Sequence, residues 1–175
     1  KIKAESFKPL VIDETESIPT YEVGMVKSDL NLGGWNEAFA LWKARYVKPQ
    51  KQKQFYSVLI PVELGFISCQ NAESLGKFLK AFGSDTLRMT KDQNFLLRNI
   101  REDYLVTMYN FLKKTIPGTD KPAIFGRILS CAGASTCQLG ICLSRQAARA
   151  IIKELQESGL DLDKISDIKI NISGC

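Results

Sequence analysis

Five cysteines, Cys69, Cys131, Cys137, Cys142 and Cys175, stand in a sequence that contains no histidine. The missing histidine removes imidazole general bases, Ser-His-Asp and Cys-His catalytic arrangements, imidazole zinc sites and histidine-ligated haem. Metal chemistry here has to run through thiolates or carboxylates. The cysteine count is odd, and the first twenty residues mix Lys1, Lys3 and Lys8 with Glu5, Asp13, Glu14 and Glu16 in place of an apolar signal core, so a disulfide framework is not expected. Between Cys131 and Cys137 lie only Ala, Gly, Ala, Ser and Thr. Such small or polar residues can wrap a compact inorganic core and turn backbone N–H groups towards its sulfides. The spacing matches neither the paired ligands of zinc fingers nor a plant-type ferredoxin, and by itself leaves a thiolate metal site and ordinary packing cysteines open as alternatives.

The elements that must position these thiols follow from hydrophobic period. Residues 1–34 show little periodicity and read as an extended lead-in. From Trp35 to Val47 the residues Trp35, Ala38, Phe39, Trp42 and Tyr46 recur at helical spacing, ending before Pro49. The segment FYSVLIPVELGFIS alternates from Tyr56 to Phe66 and reads as one long strand with an irregularity at Pro61. Asn71 is the expected cap of a helix with Leu75, Phe78, Leu79 and Phe82 on one stripe, stopped by Gly83. TLRMT and NFLLRNI are two short strands joined through Lys91-Asp92-Gln93, and a helix from Glu102 to about Lys114 turns Leu105, Met108 and Leu112 inward. The order from 55 to 115 is therefore βαββα, with a three-stranded sheet whose edges are open. AIFGRILS reads as a further strand leading into the cysteines. Ser144 is the expected cap of a helix with Leu143, Ala147, Ile151 and Leu155 on its stripe, and KINIS alternates as a last strand that could run beside the one ending at Ser130, gathering Cys131, Cys137 and Cys175.

Taken together, CAGASTC, the helix after it and KINISGC resemble the iron-sulfur and siroheme domain of nitrite and sulfite reductases. TLRMTKDQNFLLRNI resembles that family's strand-turn-strand motif, and YSVLIPVELGFIS resembles the strand that opens each of its ferredoxin-like halves. The resemblance spans roughly residues 53–175 and implies an α+β fold: a ferredoxin-like half-domain (βαββα) followed by the start of an α/β siroheme and [4Fe-4S] domain. The corresponding division is 1–53 lead-in and linker helix, 54–118 half-domain and 119–175 partial cluster domain. It implies Cys131, Cys137 and Cys175 as three of four cluster ligands, with the fourth four residues on, and Arg88, Thr90, Gln93 and Asn94 as siroheme contacts. Arg88, Lys91, Arg98 and Arg101 supply the cations that a carboxylate-fringed tetrapyrrole needs around this turn. Cys69 and Cys142 fall outside the motif and are expected to pack.

The activity implied is six-electron reduction of nitrite or sulfite, with a ferredoxin or a flavoprotein as donor. The sequence opens at Lys1 and stops at Cys175 before the fourth ligand, so the expectation is a piece of a reductase, inactive and without cofactors when isolated. The competing reading is a non-enzymatic α/β interaction module or a thiolate metal-binding module. At 175 residues, 45% hydrophobic and 25% charged, the chain can bury roughly 70% of its unfolded surface. No run of eighteen apolar residues occurs, so no membrane span and a cytoplasmic location are expected. The net charge of +5 calls for no nucleic-acid partner. The basic run from Lys48 to Lys53 could meet an acidic ferredoxin, although a solvated linker is the stronger explanation. Open sheet edges also suggest self-pairing of the chain about a twofold axis.

Overall fold

Asn36 starts the first helix because its side chain satisfies a backbone donor that the helix leaves free: Oδ1 accepts from the Phe39 N–H at 2.8 Å. The computed structural model describes residues 36–83 and 85–175, so the lead-in expected over residues 1–34 lies outside the described residues. Helix α1 (Glu37–Tyr46) buries Phe39, Trp42 and Tyr46. Phe39 and Trp42 pack on Tyr109, with ring centroids 5.7 and 5.2 Å apart. The helix assigned to the lead-in is thus core material for the sheet that follows.

Strand β1 (Val47–Pro49) continues directly from α1 and pairs antiparallel with β2 (Phe55–Ile60), Val47 opposite Val58. β2 pairs with β4 (Phe95–Arg101), and β4 with β3 (Leu87–Met89). The sheet is antiparallel in the order β1-β2-β4-β3, so it has four strands where three were expected, and β1 covers one of the edges read as open. Helices α2 (Cys69–Leu79) and α3 (Leu105–Thr115) close the core. Val58, Ile60, Leu97 and Ile100 meet Leu75, Leu79, Leu105, Met108 and Leu112 there. Leu97 and Ile100 both point inward although three residues apart, because the register shifts between Tyr56 and Val58 and Asn99 adopts φ 60. The expected βαββα order is present, and the fold is α+β.

The long strand expected over residues 55–68 stops at Ile60. Pro61 offers no N–H to a ladder, and the chain turns over Glu63–Gly65 with Leu64 at φ 50. This conformation drives Leu64 into a second, smaller core with Ile124, Phe125, Ile128, Ala148, Ile152 and Leu162. The cap of α2 is Ser68, whose hydroxyl accepts from the Asn71 N–H at 3.2 Å; Asn71 itself lies inside the helix. Gly83 does end this segment, at φ 93.

AIFGRILS is also mixed: Ala123–Arg127 form a tight helical turn and only Ile128–Ser130 are strand, β5. Helix α4 (Ser144–Glu157) is capped by Leu143, with Ser144 as its first residue, and its buried side is Ala148 and Ile152, one residue round from the expected stripe. It carries the chain back so that β6 (Ile170–Ile172) pairs parallel with β5, Ile128 opposite Ile170 and Ser130 opposite Ile172. No helix among the described residues is long and apolar enough to cross a membrane.

Polar pins join the two cores. Arg45 of α1 makes a two-pronged contact with Asp163, at 2.8 and 2.6 Å, and reaches the Asp120 carbonyl at 2.7 Å. Tyr46 donates its hydroxyl to the Lys121 carbonyl at 2.5 Å, and burial pushes that phenol well above its usual pKa. Most central is Asn94, only 3% exposed. Its Oδ1 accepts from the Val62 N–H at 2.9 Å, and its Nδ2 donates to the Gly126 carbonyl at 2.7 Å. Asn94→Ala strands both buried partners and is expected to lower stability by roughly 2–3 kcal/mol. Urea unfolding checks this; a loss under about 1 kcal/mol would show that the two bonds do not hold the modules.

Candidate functional site

The hairpin between β3 and β4 is fixed by three residues, Thr90, Gln93 and Asn94. Thr90 and Asn94 face each other, Thr90 N–H to Asn94 carbonyl at 2.9 Å, while the Thr90 hydroxyl accepts from the Asn94 N–H at 3.1 Å and its carbonyl from Gln93 at 3.2 Å. A three-residue loop of this kind needs a left-handed residue at its end, usually glycine, and here Gln93 takes it at φ 59. A side chain kept in that conformation costs stability, and such positions cluster where function demands them. Gln93 is exposed and lies against Gly65, across from the turn that carries Leu64.

The other expected contacts differ in what they are free to do. Arg88 is exposed and pairs with Asp85, as does Arg98. Thr90 is half-buried, its hydroxyl engaged in the turn. Asn94 spends its amide on Val62 and Gly126, so it shapes the hairpin from below. Arg101 sits at the far end of β4, opposite Phe55 and paired with Asp103 at 2.8 Å, about 20 Å along the strand from the turn. It is not part of the basic group expected there.

The cysteine loop is built on the β5–β6 pair. Parallel pairing leaves Cys131 and the Gly174-Cys175 end at the same end of the two strands, and the Cys131 N–H continues the ladder to the Ile172 carbonyl at 3.2 Å. The loop then folds back on itself. Cys137 donates to the Gly133 carbonyl at 3.0 Å, Ala134 to that of Cys142 at 3.0 Å, and the consecutive N–H groups of Ile141 and Cys142 grip the Gly174 carbonyl at 2.6 and 2.9 Å. This crossing tolerates no side chain: a Cβ at Gly174 would stand 2.7 Å from Gly133 Cα, and one at Gly133, itself at φ 61, would stand 2.5 Å from the Cys142 carbonyl.

Cys131 has the most developed surroundings. The Gly174 N–H donates to its Sγ at 3.1 Å, and the buried Ser144 hydroxyl stands 3.3 Å from Sγ and 2.9 Å from the Cys131 carbonyl. The Ser144 hydroxyl, and after it the Gly174 N–H, pull the Cys131 thiol below its usual pKa by favouring the thiolate. Sequence reasoning missed this role of Ser144, because a serine at a helix start reads as a cap. All five thiols are exposed and free, so Cys69 and Cys142 are not the packing residues expected.

One further contact joins hairpin to loop. Lys169, just before β6, pairs with Asp92 at the hairpin tip, and this hydrogen bond, with the nearby positive charges, holds the Asp92 carboxyl below the usual carboxylate range. Chemically, then, the site offers exposed thiols on a closely hydrogen-bonded loop, one of them with its pKa lowered, beside a turn that displays Arg88 and Gln93. Those donors suit a soft metal or iron-sulfur group in type and in backbone support. No group of three His, Cys, Asp or Glu side chains among the described residues is close enough to hold a single metal ion. Cys131, Cys137 and Cys175, expected to gather, thus form no mononuclear site among the described residues, and a cluster is favoured by their donor type alone.

Residues 48–115 match the family model described as the nitrite/sulfite reductase ferredoxin-like half domain. The chain is similar to the ferredoxin–nitrite reductase of Synechococcus elongatus, 30% identical over 132 residues, 74% of this chain and 25% of that protein. It is also similar to the chloroplastic ferredoxin–nitrite reductase of Spinacia oleracea, 25% identical over 111 residues, 63% of this chain and 19% of that one. Among solved structures, that of the Mycobacterium tuberculosis NirA protein shares the fold with a TM-score of 0.63 at 21% identity, over 74% of this chain and 24% of that one. The chain thus spans about a fifth to a quarter of the length of the relatives it matches.

Two outcomes follow from this geometry. Cys131 is expected to be alkylated by iodoacetamide with a rate–pH midpoint below that of free cysteine, and Ser144→Ala to move that midpoint upward; peptide mapping that shows an unshifted midpoint at Cys131, or one that Ser144→Ala leaves in place, contradicts the assignment. Lys169→Met is expected to return the Asp92 pKa to the ordinary range in an NMR titration. The stability this pair adds is present at neutral pH and lost as pH falls through the lowered pKa, and for so exposed a pair it is at most about 1 kcal/mol.

Proposed function

We propose, from the match of residues 48–115 to the nitrite/sulfite reductase ferredoxin-like half domain, that the chain forms part of a siroheme- and [4Fe-4S]-dependent reductase acting on nitrite or sulfite. In this reading Cys131, Cys137 and Cys175 ligate the cluster, while Arg88, Thr90 and Gln93 face the siroheme. Asn94 holds their hairpin in place. The observation that carries it is the parallel β5–β6 pair, which brings together Cys131 and Gly174, 43 positions apart in the chain. When bound, the cofactors would relay the donor's electrons and supply the iron that takes the oxyanion.

The chain's own residues do the positioning. Ser144 and Gly174 lower the Cys131 pKa, so that less free energy is spent in deprotonating the thiol when it ligates. The glycine crossing fixes the loop so that little ordering entropy is spent on binding. Arg88, now paired with Asp85, would offer its guanidinium to a carboxylate of the tetrapyrrole, and Gln93, whose amide rests against Gly65, would supply a neutral donor beside it. The similar proteins are named ferredoxin–nitrite reductases, which favours nitrite as the substrate and a ferredoxin as the donor. With about a quarter of those proteins' length, the chain is assigned the holding of cofactors, and six-electron turnover is assigned to a protein of the full length.

Anaerobic reconstitution of the chain with iron, sulfide and siroheme tests the reading. In a version extended by four residues to the fourth cysteine ligand, iron and acid-labile sulfide are expected to bind with a broad charge-transfer absorption, and the 175-residue chain is expected to hold none. In the extended version Cys131→Ser, Cys137→Ser and Cys175→Ser are each expected to cut bound iron more than twofold, and Cys69→Ser to leave it unchanged. Iron without any siroheme Soret band would favour a thiolate metal-binding module instead, and equal loss in all four variants would remove the proposed ligand set.

A further inference from the structure

A cavity of about 280 Å³ lies outside the site described above, where the turn after β2 meets the start of α2, the end of α3 and the first turns of α4. Its walls are apolar: Val62, Phe66, Ile67, Ile116 and Pro117 line it, and Phe66 is 71% exposed at its edge. Arg145 and Arg149 also line it. None of the cysteines and none of residues 88–94 does.

The two arginines make no ion pair or hydrogen bond among the described residues. The acid on the cavity wall, Glu63, is already paired with Lys121 at 3.2 Å. Arg145 and Arg149 are one helical turn apart on the same face, and Lys153 extends the row by another turn. Like charges at this spacing weaken a helix, and cations in a first turn oppose the helix dipole. The first turns of α4 and of α2, which both reach this cavity, contain no acid. So the sequence accepts two local penalties that nothing in the described structure repays, and residues that break local rules in this way mark sites of function.

We propose that this cavity binds the phosphate monoester of a small apolar group, the phosphate on Arg145 and Arg149 and the apolar part against Ile67, Phe66 and Ile116. Two guanidinium groups match the charge of about −2 on a phosphate monoester, and each can present two N–H groups to its oxygens. A dry cavity of about 150 Å³ accepts benzene, so this one has room for a ring together with its anionic group. The mixed lining selects for such a ligand over a bare ion.

Calorimetric titration of the metal-free chain with phenyl phosphate tests the site independently of any cluster. One molecule is expected to bind per chain, roughly tenfold more tightly than inorganic phosphate. Arg145→Gln and Arg149→Gln, both at exposed positions, should each weaken it by roughly tenfold, as expected for loss of a charge-assisted contact. Lys153→Gln, which lies outside the cavity, should change it less than twofold. No saturable binding, inorganic phosphate binding as tightly as phenyl phosphate, unchanged binding in both arginine variants, or an equal loss in Lys153→Gln would each overturn the proposal.

Discussion

The two hydrogen bonds of the Asn94 side chain set the relation between the three segments on which the site is built. One reaches Val62, where the chain has just left the sheet; the other reaches Gly126, two residues before β5. A buried amide with both ends satisfied is directional in a way that apolar contact is not, and leaving either partner unpaired costs more than the bond contributes. Asn94 therefore fixes where β5 begins relative to the hairpin. The position of Cys131, three residues beyond the start of β5, follows from it.

From that point the structure is carried by close backbone contact. β5 and β6 are only three residues each, too short to hold a loop by themselves, and the ladder is extended by Cys131 and then by the grip of Ile141 and Cys142 on Gly174. The Gly133–Gly174 crossing makes this possible. Leu64 anchors the same region from the other side, its strained φ repaid by burial in the second core. Arg45 on Asp163 and Lys169 on Asp92 add polar ties between the modules. The two cores are thus joined mainly by specific hydrogen bonds and one apolar peg.

Local period made much of this legible in the sequence. The alternation of KINIS, the stripe of Leu105, Met108 and Leu112, and the TLRMT-KDQ-NFLLRNI hairpin are all properties of neighbouring residues, and they fold as read. What was not legible depends on distant partners. Leu64 reads as the continuation of a strand until the second core that captures it is known. Ser144 reads as a cap until Cys131 is brought beside it, and β1 is too short to announce itself without the edge of β2. The resemblance of CAGASTC and KINISGC to a reductase was carried by residue types, whereas the glycine crossing that unites the two motifs required the fold.

If Asn94 sets the geometry of the cysteine loop as well as that of the hairpin, disturbing its amide should be felt at both. Native-state amide hydrogen exchange, compared between the chain and Asn94→Ala under conditions where both are folded, measures this directly. The account predicts that protection at Cys131, Ile141 and Cys142 falls together with that at Val62 and Thr90. Loss confined to Val62 and the hairpin, with the cysteine-loop amides unchanged, would contradict it.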